Sequence, residues 1–167
     1  MTKYRKSIPM QSNRVLGIDP GFDRVGVAVM DKGSVLFSTC IKTSSKLPHQ
    51  ERLLQIGKGV GKVIERWKPQ DLAIETLFFN QNTSTALKVA EARGVIIYES
   101  VRAGLNVYEY SPQAVKIGVT GYGKADKKQM EIMVRKLVKL SGDKKLDDEL
   151  DAVALCINHL ASKRGIW

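Results

Sequence analysis

Val15-Leu16-Gly17-Ile18-Asp19-Pro20-Gly21 decides how the rest of the chain is read. A short apolar run ends on an acid, and Pro-Gly then forces a turn. The next apolar run, Val25–Met30, reads as the antiparallel partner of strand one, Arg14–Asp19. Asp19 therefore stands where a buried strand reaches the open end of a sheet. A carboxylate there is costly unless a cation pairs with it. Taken alone, Asp19 is equally an acid that starts a turn; the other acids of the chain weigh against that.

Outward from this hairpin, Asp31-Lys32-Gly33 makes a turn and Ser34–Thr43 alternates as a third antiparallel strand. After a loop at Ser44–Pro48, Leu53, Ile56, Val60, Val63, Ile64 and Trp67 recur at helical spacing, and Pro69 ends that helix. Gly57, Gly59 and Gly61 lie inside it, each costing about 1 kcal/mol relative to Ala. Packing on the sheet accounts for one or two of them and leaves the third unexplained. Asp71–Glu75 is strand four, reached by a helical crossover and so parallel to strand one. It too ends on an acid. As neighbours, the two strands bring Asp19 and Glu75 to one end of the sheet.

Phe78 and Phe79 precede Asn80, Gln81 and Asn82. Two aromatics in a polar loop are either core plugs or an exposed contact. Thr83 or Ser84 caps a helix reaching about Gly104, Val107–Tyr110 is a fifth strand, and Gln113–Ile117 is a brief helix. Gly118–Gly123 is too glycine-rich for regular structure. Lys116, Lys124, Lys127, Lys128, Arg135, Lys136 and Lys139 face only Asp126 and Glu131 in that part of the chain. This is either a solvated helix face or a loop for phosphate backbones. The last helix runs from about Asp147 to Ser162, with Asp148 and Asp151 three apart beside its apolar stripe. The dipole at a helix N-terminus explains part of that acidity. His159 reads as a partly buried histidine and His49 as a surface one.

Length and charge bound the possibilities. At 167 residues the prior is one domain, able to bury about two-thirds of its surface. A net charge of +10 favours a polyanion, nucleic acid before an anionic membrane surface. No apolar run approaches the roughly 18 residues of a membrane span, and no signal-peptide core opens the chain. Cys40 and Cys156 fall in apolar segments and read as two reduced, buried thiols, which with the missing leader implies a cytoplasmic protein. Four carboxylates, Asp19, Glu75, Asp148 and Asp151, suit hard cations such as Mg²⁺; zinc spacing and serine or cysteine triads are missing. Acids with a strong positive charge point to a metal-dependent nuclease using two ions.

At this point the residues resemble a family, the RuvC-type Holliday-junction resolvases of the RNase H-like superfamily. The likeness runs from Arg14 to about His159. Its anchors are Leu16–Gly21, Ala73-Ile74-Glu75, Ser84–Lys88 with Ala92-Arg93-Gly94-Val95, Val115-Lys116, and Asp148–Ala152. The resemblance implies an RNase H-like α/β fold: a five-stranded mixed sheet flanked by helices, strands 1–3 antiparallel and strands 4 and 5 parallel to strand 1. It implies a nuclease domain at 14–162. The polar stretch 1–13, with Lys3, Arg5 and Lys6, reads from its composition as a basic flexible arm, longer than is usual in the family, and 163–167 as a short tail.

It further implies that Asp19, Glu75, Asp148 and Asp151 are the catalytic metal ligands, binding two Mg²⁺ with Mn²⁺ as a substitute. The position of Asp148 is a histidine in some relatives. Phe78 falls where the family places an aromatic wedge, leaving Phe79 as the plug. Lys116 and Lys127 fall on its basic positions, and Lys124 and Lys128 extend that DNA-binding segment. The family acts as a homodimer on four-way junction DNA in recombination and repair, beside a RuvA/RuvB-type branch-migration complex. It nicks two strands of like polarity symmetrically, leaving 5′-phosphate and 3′-hydroxyl ends.

Three other readings fit parts of the sequence. Asp23–Val29 also resembles the YqgF-type RNase H-fold nucleases acting on RNA, against which the Phe78–Gly94 block and the basic loop argue. Gly17–Gly21 is similar to the phosphate loop of actin-like ATPases, which need two such domains. A junction-binding protein without cleavage fits the charge but leaves the four acids unexplained.

Overall fold

The computed structural model describes residues 13–77, 83–140 and 147–163, with only the backbone described at 83 and 84. Five strands form one sheet in the order β3-β2-β1-β4-β5. They are β1 (Val15–Asp19), β2 (Arg24–Asp31), β3 (Ser34–Lys42), β4 (Asp71–Glu75) and β5 (Asn106–Tyr110). β1, β2 and β3 pair antiparallel, while β4 runs parallel to β1 and β5 parallel to β4, as the sequence predicts. The hairpin turn needs left-handed backbone, with φ 50° at Lys32 and 88° at Gly33.

Successive residues of a strand point to opposite faces. Leu16 and Ile18 therefore join one core with Val27, Leu72 and Ile74, covered by α1 (His49–Trp67) and α2 (Thr83–Arg102). Val15, Ala28 and Ala73 face the other core, covered by α3 (Pro112–Thr120), α4 (Lys127–Leu137) and α5 (Asp147–Lys163). The result is a helix–sheet–helix sandwich. No described helix is long and apolar enough to cross a membrane.

Several expectations change. α3 continues through Gly118, Val119 and Thr120 instead of breaking at Gly118. The glycine serves packing and not a break: a Cβ on Gly118 would stand 1.9 Å from Asn158 Oδ1 of α5. Gly121, at φ 73°, is the residue that ends the helix. The three glycines of α1 answer to different neighbours. Gly57 abuts Val95 of α2 and Gly59 abuts Ile41 of β3, whereas Gly61 meets only Glu99 at an ordinary 3.7 Å. Both cysteines are free, but Cys40 is half-buried and only Cys156 is fully enclosed.

His159 is completely buried instead of partly so. Its burial keeps the ring neutral, so Nε2–H donates to Asp71 Oδ2 (3.1 Å) and Nδ1 accepts from the Tyr110 hydroxyl (2.8 Å). Asp71 also pairs with Lys163, which belongs to α5 and not to a tail. Phe78, Phe79 and Asn80–Asn82, residues 1–12 of the arm and residues 164–167 lie outside the described residues.

Candidate active site

β1 and β4 are adjacent and in register through Ile18 and Ile74, so Asp19 and Glu75, each one residue further on, leave the sheet side by side. α5 then crosses the open face of β1 and β2. Gly17 and Gly26 let its backbone settle there: a Cβ would stand 2.2 Å from the Ala152 carbonyl oxygen at Gly17 and 1.8 Å from that of Asp148 at Gly26. Asp148 and Asp151, in the first turns of α5, are thus brought to the acids of the sheet.

All four carboxylates are half-buried. Burial pushes the Asp19 carboxyl up to about 8, with Asp151, Glu75 and Asp148 adding repulsion and Lys127 opposing it. Glu75 is raised by burial and by Asp151, against the pull of Lys116. Asp151 is raised by burial and by Asp147 and Asp148, again against Lys127. The acids act on one another; each raises its neighbour's cost of ionising.

A cleft of about 270 Å³ opens beside them, lined by Glu75, Asp151, Lys116 and Lys127 among others. A larger hollow of about 550 Å³ lies at the other end of β4, between the C-terminal ends of α1 and α2. It mixes Glu65, Glu99, Lys68 and Arg102 without a convergent set of donors, so the chemistry belongs to the smaller cleft.

Of the predicted cations, Lys116 on α3 and Lys127 at the start of α4 reach the acids. Lys127 also pairs with Asp147 at 2.9 Å. Lys124 and Lys128 are exposed, in the turn before α4 and in its first turn. Among the described residues no three acidic, imidazole or thiol groups form a ready-made cation cage. The donor set nevertheless fits a hard divalent cation: carboxylate oxygens whose mutual repulsion such a cation would relieve.

Three arginines, of which Arg93 stands in a motif quoted above, had no role assigned from the sequence. Arg52, buried in α1, donates from Nε to Thr43 Oγ1 (2.9 Å), pairs with Asp23, and stacks on Phe22, so it clamps the turn that follows Asp19. Arg93 of α2 donates to the backbone carbonyl of Glu75 at 3.1 Å and pairs with Glu109. Arg24 lies 3.1 Å from Asp148 Oδ2. A cation at a strand end or on a helix carries no sign of its partner in sequence.

The strand order, with acids closing β1 and β4 and opening the last helix, defines a member of the RNase H-like class of α/β folds. The family model described as "Crossover junction endodeoxyribonuclease RuvC" matches residues 15–159. Proteins of that name from Fusobacterium nucleatum and Brevibacillus brevis are 42% and 45% identical to this chain. These alignments cover 89% of the chain with 80% of the first relative, and 87% with 90% of the second. Thermus thermophilus RuvC, solved in complex with a Holliday junction substrate, superposes with a TM-score of 0.84 at 32% identity, covering 91% of this chain and 95% of that one. The yeast mitochondrial Holliday junction resolvase shares the fold, with a TM-score of 0.65 at 13% identity over 92% and 81% of the two chains. This chain belongs to the crossover junction endodeoxyribonuclease RuvC family.

Proposed function

We propose that this protein is a divalent-cation-dependent endonuclease that resolves four-way (Holliday) DNA junctions, nicking two strands of like polarity and leaving 5′-phosphate and 3′-hydroxyl ends. The observation that carries the reading is the group of half-buried acids, Asp19, Glu75, Asp148 and Asp151, whose charges press on one another beside a cleft holding Lys116 and Lys127. These four are its metal-binding catalytic residues.

The four carboxylates would hold two Mg²⁺ ions, with Mn²⁺ as a substitute, which when bound would supply Lewis acidity at the scissile phosphate and activate a water. The chain's own residues do the rest. Asp19 and Glu75 hold their carboxylates on rigid strand ends, and α5 presents Asp148 and Asp151 from the opposite side. Arg93 and Arg52 fix the backbone around Glu75 and the turn after Asp19. Lys116 and Lys127 hold a phosphate at the cleft, while Lys124 and Lys128 extend the basic track along DNA. Phe78 serves as the wedge at the strand exchange.

A homodimer places two such centres on one junction. An exposed seam on α2 supports this: Leu87, Glu91, Gly94, Tyr98 and Val101 follow one another at alternating steps of four and three, with Leu87, Tyr98 and Val101 exposed. The nuclease domain spans 14–162 with Lys163 closing α5; the arm at 1–13 adds basic charge and a short tail follows. The protein acts in the cytoplasm, in recombination and repair, beside a RuvA/RuvB-type branch-migration complex.

The test is a synthetic four-way junction incubated with Mg²⁺, each strand mapped separately, beside a continuous duplex and a structured RNA. Paired nicks at symmetric positions in two like strands support the reading. Cutting of the RNA in preference to the junction contradicts it.

A further inference from the structure

Among the described residues, Asp148 is the one of the four acids in direct salt-bridge contact with a side-chain cation, whereas Lys116 and Lys127 act on the others from further off. Arg24 opens β2, and its guanidinium Nε stands 3.1 Å from Asp148 Oδ2. The thiol of Cys40 faces the same oxygen at 3.9 Å. The charge of Arg24 also reaches Asp147, which Lys127 holds from its own side. The acidic first turn of α5 is therefore flanked by two side-chain cations, and one of them sits on a proposed ligand.

The Arg24 backbone is fixed. It pairs with Lys42 in the β2–β3 ladder, and the turn before it is so tight that a Cβ on Gly21 would lie 2.0 Å from the Arg24 carbonyl oxygen. The side chain is not fixed, being 54% exposed. It stands two residues from Gly26, the partner of Asp19 in the β1–β2 ladder, and so at the open end of the sheet where a phosphate would lie. A guanidinium fork suits a carboxylate and a phosphate equally well.

We infer that Arg24 is an exchangeable counter-cation, holding Asp148 while no divalent ion is bound and passing to a DNA backbone phosphate once an ion takes that carboxylate. The inference rests on the reading of Asp148 as a metal ligand. It couples cation loading to phosphate contact through one side chain.

Arg24→Gln tests the exchange with calcium as the ion. In calorimetric titration without DNA, Arg24→Gln binds calcium roughly two- to fivefold more tightly than wild type, the competition expected of a half-exposed pair. Junction affinity is then measured against NaCl concentration, once with EDTA and once with saturating calcium. The exchange predicts that Arg24→Gln lowers the salt slope by about 0.9 in calcium and leaves it unchanged in EDTA. Arg24→Lys, which keeps a cation, retains the slope in both.

A slope lowered equally in both conditions makes Arg24 a fixed DNA contact and overturns the exchange. So does calcium affinity that Arg24→Gln leaves unchanged or weakens. If wild type binds calcium and Arg24→Gln differs in neither measurement, the exchange alone fails. If wild type binds no calcium, the cation reading of the site fails and the exchange with it.

Discussion

Gly26 of β2 lies directly beneath Asp148 of α5, so close that a methyl group on Gly26 would stand 1.8 Å from the Asp148 carbonyl oxygen. Gly26 is also the ladder partner of Asp19. One missing side chain therefore sets the distance between the acids of the sheet and those of the helix. Gly26→Ala forces α5 away from the sheet and should cost about 1–3 kcal/mol, with loss of junction cleavage. Gly61→Ala, with only an ordinary contact to Glu99 at 3.7 Å, should instead gain up to about 1 kcal/mol. Thermal denaturation of the two variants checks the pair; Gly26→Ala melting like wild type contradicts the seating of α5.

The repulsion at Asp19 has a pH signature. Its carboxyl, ordinarily near 3.8, is raised to about 8 by burial and by the neighbouring acids. Between those values the folded protein holds a proton that the unfolded chain has released. The stability due to the neutral form is complete below about pH 4 and lost as pH rises through 8. Asparagine cannot ionise. With EDTA present, the melting advantage of Asp19→Asn over wild type should grow from pH 5 to about pH 8.5, and Mg²⁺ should narrow it. A difference that is flat across this range contradicts the account.

Lys116 and Lys127 pull against this repulsion, at Glu75 and at Asp19 and Asp151. Lys116→Ala and Lys127→Ala should each slow turnover and lower the salt slope of junction binding by about one unit. Lys127→Ala should also move the acid limb of the pH–rate profile to higher pH, because Asp19 loses its opposing cation. Unchanged rate and slope in both variants return the segment to a solvated face.

What the sequence displays is the set of features that depend on residues near one another in the chain. The apolar runs closed by Asp19 and Glu75, and the crossover between them, follow from local pattern, and the structure keeps both. The seating of α5 does not show there, because Gly17 and Gly26 announce only that something approaches, without naming Ala152 or Asp148. The same blindness misread α3: Gly118 reads as a helix breaker, yet the helix runs through it, and its missing side chain makes room for Asn158 of α5. His159 is a lone histidine on an apolar face until Asp71 and Tyr110, distant in sequence, are folded onto it. The site acids were legible as types at strand ends; the arginines that hold them were not.

Phe78 follows Glu75 by three residues and lies outside the described residues. As a wedge it would replace base stacking worth about 1–3 kcal/mol with stacking on protein, which a continuous duplex resists. Phe78→Ala should fold normally and bind junctions, yet resolve them more slowly and with less discrimination against duplex. Phe79→Ala should mainly lower the melting temperature. Strong destabilisation by Phe78→Ala and none by Phe79→Ala reverses the two assignments.

Asp19, Glu75, Asp148 and Asp151 are proposed to form one cation-dependent centre for cutting junctions. This is tested most directly by single-turnover cleavage of a synthetic four-way junction in Mg²⁺ by Asp19→Asn, Glu75→Gln, Asp148→Asn and Asp151→Asn. Junction binding is measured on the same preparations. Amides are poor ligands for hard cations, so each variant should bind the junction like wild type and cleave it slower by about a hundredfold or more. Any one of the four cutting at close to the wild-type rate removes that residue from the centre and contradicts the claim.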